Sequence, residues 1–227
     1  MHKVISMMKE NIKNKKNNVI FLGNNGYIFN SLKDLSQNKN YLFIDYKNLK
    51  KVLKVNEISY VFFLYGPNRY QCKKNFKFEY KRYIQVLNYV IKVLKKYDIW
   101  LFKLSTIHSI DNLDDSKYSY FYNLVDKKFL KTYTKSSVVY LGNIFGITSK
   151  FKKFKRINFI HKYISSYVRN SKFVVKKLDA KRSYTSIYFL SKKIDRLINS
   201  NITPEKKIVI KSKLISNESI INLIEKN

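Results

Sequence analysis

A single cysteine, Cys72, among 227 residues leaves no possibility of an internal disulfide, which fits a reducing compartment and a cytoplasmic location. Glycine (5 residues) and proline (2) are too scarce for a collagen-like chain. The longest apolar runs, such as Val61 to Tyr65, fall far short of the roughly 18 residues that a membrane-spanning helix needs. The N-terminus has a brief apolar start (Val4, Ile5, Met7, Met8) before a polar run and no small-residue cleavage site, so export is not expected. Three scattered histidines, His2, His108 and His161, and one cysteine offer no metal-ligand spacing, and no base is poised beside the Cys72 thiol. Neither an RNA-recognition, zinc-finger or coiled-coil signature nor an internal repeat of about 20 to 50 residues is visible.

Acidic residues are also few: 15 Asp and Glu stand against 46 Lys and Arg, for a formal charge of +31. Clustered cations bind nucleic acids by releasing counterions from phosphates. Here the cations are spread along the whole chain, and Lys rises together with Asn, Ile, Tyr and Phe, all of which have A/T-rich codons. Composition therefore accounts for the charge better than a polyanion partner, and nucleic-acid binding stands as the third choice among functions. What is abundant is hydrophobic surface: 45% hydrophobic and 16% aromatic residues, including 19 Tyr and 16 Phe, exclude a disordered chain. The length suits one large domain, or a main domain with an appendage.

The pattern from Asn18 onward is apolar run, turn, helix. Strands are expected at Val19 to Leu22, Tyr41 to Ile44, Tyr60 to Leu64, Ile99 to Leu104 and Ser137 to Leu141. Between them helices are expected at Tyr27 to Leu35, around Leu49, Val52 and Leu53, over Lys81 to Lys96, and over Tyr120 to Tyr133. Strands alternating with helices argue for an α/β, Rossmann-like, doubly wound parallel sheet. After Gly146 the pattern loosens into basic turns around Lys150 to Arg156, helices at Phe159 to Val168 and Phe189 to Asn199, and short strands at Phe173 to Val175 and Lys207 to Ile210. The expected organisation is a basic extension (1–17), a dinucleotide-binding domain (18–148) and a small C-terminal α/β substrate lobe (149–227) interleaved with it.

The chemistry starts at the first turn. Gly23-Asn24-Asn25-Gly26 joins a strand to a helix, where glycines let backbone N–H groups approach a pyrophosphate at the positive end of the helix. Asp45, at the end of the next strand, lies close to the roughly 20-residue distance at which a carboxylate meets a ribose diol.

With these residues the chain resembles the extended short-chain dehydrogenase/reductases, the NAD-dependent epimerases and dehydratases of nucleotide sugars, from about residue 18 to 225. The family's Gly-x-x-Gly-x-x-Gly is matched by Gly23 and Gly26, with Phe29 in place of the third glycine. Val61 to Pro67 resembles its fourth strand, Lys103-Leu104-Ser105-Thr106 the strand ending in a Ser/Thr pair, Asn143-Ile144-Phe145-Gly146 its Asn-Val-Tyr-Gly, and Arg182 to Leu190 the segment leading into a late helix. Ser216 to Ile224 resembles the closing strand and serine-capped helix. The resemblance implies a NAD or NADP cofactor held by Gly23, Asn25, Gly26, Tyr27, Ile28, Asp45, Leu64, Tyr65 and Gly66. It implies a nucleotide-sugar substrate met by Asn143 and Arg182, and proton transfer by Tyr118 aided by Ser105 or Thr106 during hydride transfer at a sugar carbon. A homodimer through the helices at Lys81 to Lys96 and Tyr120 to Tyr133 would follow, with no membrane span.

The sequence also departs from the family. Its Tyr-x-x-x-Lys lysine lowers the tyrosine's pKa and holds the nicotinamide ribose, but the fourth residue after Tyr118 is Tyr122. Tyr120 and Tyr122 would need lysines at Leu124 and Asp126, leaving Lys117, Lys127 or Lys128 as substitutes from another register. A phenol with a pKa near 10 is a poor base at neutral pH. The stretch from Gly23 to Tyr118 is short, so one strand–helix unit is compressed and Asp45 equally represents the third strand's adenine-side aspartate. A member that keeps the fold and the nucleotide site without catalysis is the alternative reading. His108 is read as incidental.

Overall fold

In the computed structural model the described residues are 18–226, apart from 25, 37, 111–115, 147–158, 176, 201 and 211–213. The expected N-terminal extension (1–17), Asn25 and the basic turns at 150–156 lie outside them.

Six short apolar segments form the main sheet: β1 (Val19–Leu22), β2 (Tyr41–Ile44), β3 (Tyr60–Phe63), β4 (Trp100–Thr106), β5 (Ser136–Leu141) and β8 (Lys207–Val209). Their order is β2-β1-β3-β4-β5-β8 and every pair is parallel. Parallel strands covered on both faces alternate their side chains between two cores. Ile20, Leu22, Val61, Phe63, Leu101 and Val138 meet α2 (Leu49–Leu53), α4 (Phe76–Leu94) and α5 (Lys117–Thr132) on one face. On the other, Val19, Phe21, Phe62, Phe102 and Val139 meet α1 (Tyr27–Leu35) and α7 (Ile187–Asn199). Phe21, Phe62 and Phe102 stack across the three central strands, with centroids 5.2 and 4.6 Å apart.

The segment after residue 148 feeds both bodies. Its α7 and β8 complete the main sheet, while β7 (Lys181–Ser186) joins β6 (Asn143–Phe145) and β9 (Leu214–Ser216) in a three-stranded sheet beside α6 (Phe159–Val168) and α8 (Asn217–Glu225). The strand expected at Phe173 to Val175 does not form. Those residues pair with no sheet and Val174 is exposed, because a three-residue apolar run without a neighbouring edge has nothing to bond to. Conversely, α3 (Arg69–Lys74) was not expected. It is set by a capping box, in which the Asn68 side chain accepts from Gln71 N–H and the Gln71 side chain accepts from Asn68 N–H. Asn75 then caps α4, which starts at Phe76 ahead of the expected Lys81.

Candidate nucleotide site

The chain runs from β1 out to β2 and back across β1 to β3, so the strand order reverses at the carboxyl ends of β1 and β3. Open α/β sheets bind ligands at such a point. A cleft of about 480 Å³ lies there, and it brings together Gly23, Gly26, Asp45, Leu64, Tyr65 and Gly66. Six of the nine residues expected to hold a cofactor thus share one wall-to-wall space.

Local chemistry sets each wall. Gly26 is the N-cap of α1 with extended dihedrals (φ −67°, ψ 160°) and carries no side chain that could cap the helix. A Cβ built on Gly26 would meet nothing within 4 Å. Asp45 Oδ1 accepts from Lys47 N–H at 2.9 Å and Oδ2 accepts from the Tyr65 hydroxyl at 2.9 Å. Each oxygen keeps a second lone pair for a ligand hydroxyl. Burial, and then the bond to Asp45, push the Tyr65 phenol upward, so it stays a neutral donor. The outer wall is α4, which sequence reasoning did not place at the site: Glu79, Arg82, Tyr83 and Val86 line the cleft, with Arg82 paired to Glu79 at 2.7 Å.

The third-glycine position departs physically as well as in sequence. Phe29 packs its ring over Gly23, so close that a Cβ on Gly23 would sit 2.4 Å from Phe29 Cδ2, and meets Phe43 edge-on at 5.5 Å. Here Gly23 makes room for a protein side chain.

Other expected residues lie elsewhere. The side chains of Tyr27 and Ile28 turn away from the cleft. The Tyr27 hydroxyl donates to Gly146 O at 2.8 Å and lies 3.3 Å from His161 Nε2, whereas Ile28 packs into the core between α1 and α7. Ser105 donates to Asp126 Oδ2 at 2.7 Å and Thr106 accepts from His108 N–H at 3.4 Å, so both hydroxyls are engaged within the protein. Asn143 Nδ2 donates to Ser183 O at 3.2 Å, and Arg182 is exposed on β7; neither lines the cleft.

Tyr118 is half-buried on α5. Burial pushes its phenol up to about 12, more than the Arg69 guanidinium, 5.8 Å from its ring centroid, brings it down. Lys117, Lys127 and Lys128 are exposed, so none substitutes for the missing lysine. The place of that lysine is held by Tyr122, which is 6% exposed and donates to Pro67 O at 3.2 Å. Its hydroxyl rests on Gly66, where a Cβ would stand 2.1 Å from it. A fully buried lysine does exist nearby, on the strand: Lys103 pairs with Asp126 at 2.5 Å, and its Nζ lies 4.9 Å from the Tyr122 ring centroid.

No protein-family model matches the chain, and no curated protein matches it. Solved structures do. One is the UDP-N-acetylglucosamine 4-epimerase of Methanobrevibacter ruminantium in complex with UDP-N-acetylmuramic acid, with TM-score 0.69, 18% identity, and coverage of 93% of this chain and 81% of that one. Another is the dTDP-glucose 4,6-dehydratase of Bacillus anthracis in complex with NAD, at 0.68, 15%, 92% and 80%. The fold is that of nucleotide-sugar epimerases and dehydratases. It is shared by the L-threonine dehydrogenase of Phytophthora infestans at 0.70, 13%, 92% and 81%, so the scaffold by itself names no substrate.

Proposed function

We propose that this chain is a nucleotide-binding protein on the epimerase/dehydratase scaffold, with its ligand in the cleft at the ends of β1 and β3, and that it lacks the tyrosine proton transfer of the enzymes it resembles. The carrying observation is the convergence of the α1 N-terminus, the Asp45 carboxylate and the Gly66 backbone on one cleft at the strand-order reversal. The first two supply an anion site and a diol acceptor, and Gly66, under the Tyr122 hydroxyl, forms part of the cleft's inner wall. NAD, which the B. anthracis structure carries, is the first ligand class to test, and nucleotide sugars the second.

Against acid–base catalysis stands Tyr118, a phenol that has Tyr122 in place of a lysine four residues on and that burial raises further from the ordinary value near 10. The hydride-transfer reading rests on one observation, the Arg69 guanidinium over the Tyr118 ring, a cation on the correct residue from a different element.

The test is calorimetric titration of the protein with NAD⁺ and NADP⁺, beside Gly26→Trp. A Cβ at 26 has open space and ordinary dihedrals, so the variant is expected to fold, and an indole there, on the lining of the cleft, is expected to obstruct it. Micromolar binding that the variant loses supports the reading. Binding that survives Gly26→Trp places the nucleotide elsewhere, and no binding removes the reading.

A further inference from the structure

Resting on that reading, we infer that the cleft takes a single nucleoside diphosphate and leaves the second half of a dinucleotide unbound.

A sheet of this kind has two mononucleotide-binding halves, and a dinucleotide spans the crevice between them. The first half, at the ends of β1, β2 and β3, is open in this protein. It offers the α1 N-terminus with an uncapped Gly26, the Asp45 carboxylate with a lone pair remaining on each oxygen, and the α4 wall.

The second half, at the ends of β3, β4 and β5, is filled by the protein. The Tyr122 phenol closes over Gly66, so the bare backbone there meets a protein side chain. Its one hydroxyl proton is directed to Pro67 O and is not offered to a ligand. Behind it, Ser105 is bonded to Asp126 and Ser109 Oγ donates to Thr106 O at 2.7 Å, while the Lys103 ammonium is sealed against Asp126 under the Tyr122 ring. These groups bond to one another, so opening this half would expose a buried ion pair and leave buried donors and acceptors without partners. Residues of α5 do not line the cleft, and those of α4 do. The accessible space therefore runs from the Gly23–Gly26 turn past Asp45 to Arg82 on α4, with Gly66, Pro67 and Gln71 as its inner wall and no residue of β4, β5 or α5 in its lining.

The experiment titrates the intact chain with ADP, NAD⁺, nicotinamide mononucleotide and inorganic pyrophosphate at low and high salt. The expected result is that ADP and NAD⁺ bind with affinities within about threefold of each other. Nicotinamide mononucleotide should not bind measurably, pyrophosphate should bind at least about tenfold more weakly than ADP, and Gly26→Trp should lose both adenine ligands. NAD⁺ binding about tenfold or more tighter than ADP would overturn the inference while leaving the nucleotide reading intact. Pyrophosphate matching ADP would overturn it in another way, by showing attraction of phosphate to a +31 chain without recognition of the nucleoside. Failure of all nucleotides to bind would remove the reading beneath it.

Discussion

Lys103 and Asp126 are the two charges that the fold can least afford to separate. Lys103 is fully buried on β4, and desolvation lowers its pKa while the paired Asp126 opposes that shift. Removing one partner of such a pair strands the other, so Asp126→Ala is expected to cost about 3–5 kcal/mol in urea unfolding. Replacing both with apolar residues, as in Lys103→Met with Asp126→Leu, should recover most of that loss. A single-variant cost below about 1 kcal/mol would show that the charges reach water. His161 makes a second residue-scale case. Its Nε2 lies 3.1 Å from Gly146 N and 2.7 Å from Gly146 O, and burial depresses its pKa below the ordinary 6.5. A depressed folded-state pKa means that the unfolded chain binds the proton more readily. Stability is therefore fully present above the unfolded value and falls as pH drops through about 6.5 towards the folded value. The pH dependence of urea midpoints should flatten there in His161→Gln, and an unchanged slope would contradict the assignment. Neither contact was legible in the sequence. A lone lysine in an apolar strand and a lone histidine announce burial at most, and only the fold reveals the partner.

At the scale of elements, the junction of β1 with α1 carries the strongest departure from the family pattern. A phenylalanine ring at the third-glycine position has two ways to be accommodated: it pushes the helix off the sheet or it narrows the pyrophosphate channel. In the structure the ring lies over Gly23 and lines the cleft, so its bulk takes up space at the turn. Gly23→Ala should therefore destabilise the protein by about 1–3 kcal/mol through overpacking. Because the clash is with one side chain, Gly23→Ala should cost much less in a Phe29→Ala background. A double-mutant cycle measures this coupling, and simple additivity would show that the contact is not the cause. Elements bounded by clear turns were legible: Val19–Leu22, Tyr27–Leu35, Tyr41–Ile44 and Phe159–Val168 form over the expected residues. The strands β6 and β9 were not, since three residues carry too little pattern and take their conformation from β7 between them. The caps Asn68 and Asn75 fix α3 and the start of α4, and they precede segments whose apolar residues are too few to mark a helix start by spacing alone.

Across the whole molecule, the parallel sheet was readable because alternation of apolar runs and helices leaves few topologies, whereas β8, expected in the C-terminal lobe, instead pairs with β5 at the edge of the main sheet. The candidate site was half readable. Glycines and Asp45 stand out by spacing along one turn and one strand end, whereas the α4 wall and the Tyr122 closure depend on packing between elements far apart in the chain. Among the described residues, no helix is long and apolar enough to cross a membrane. The charge of +31 acts at this scale too, and it separates two kinds of binding. Attraction to an oligonucleotide should fall steeply with salt, since each neutralised phosphate releases counterions, whereas ADP in the cleft should lose much less affinity over the same range. Parallel titrations at two salt concentrations distinguish them, and equal salt slopes would favour a polyanion partner. The most direct measurement is a crystal structure of the protein with ADP. The account predicts phosphate oxygens within hydrogen-bond distance of the Tyr27 and Ile28 backbone N–H groups and ribose hydroxyls on the Asp45 carboxylate. ADP bound away from the Gly23–Gly26 turn, or no ADP density at millimolar ligand, would contradict it.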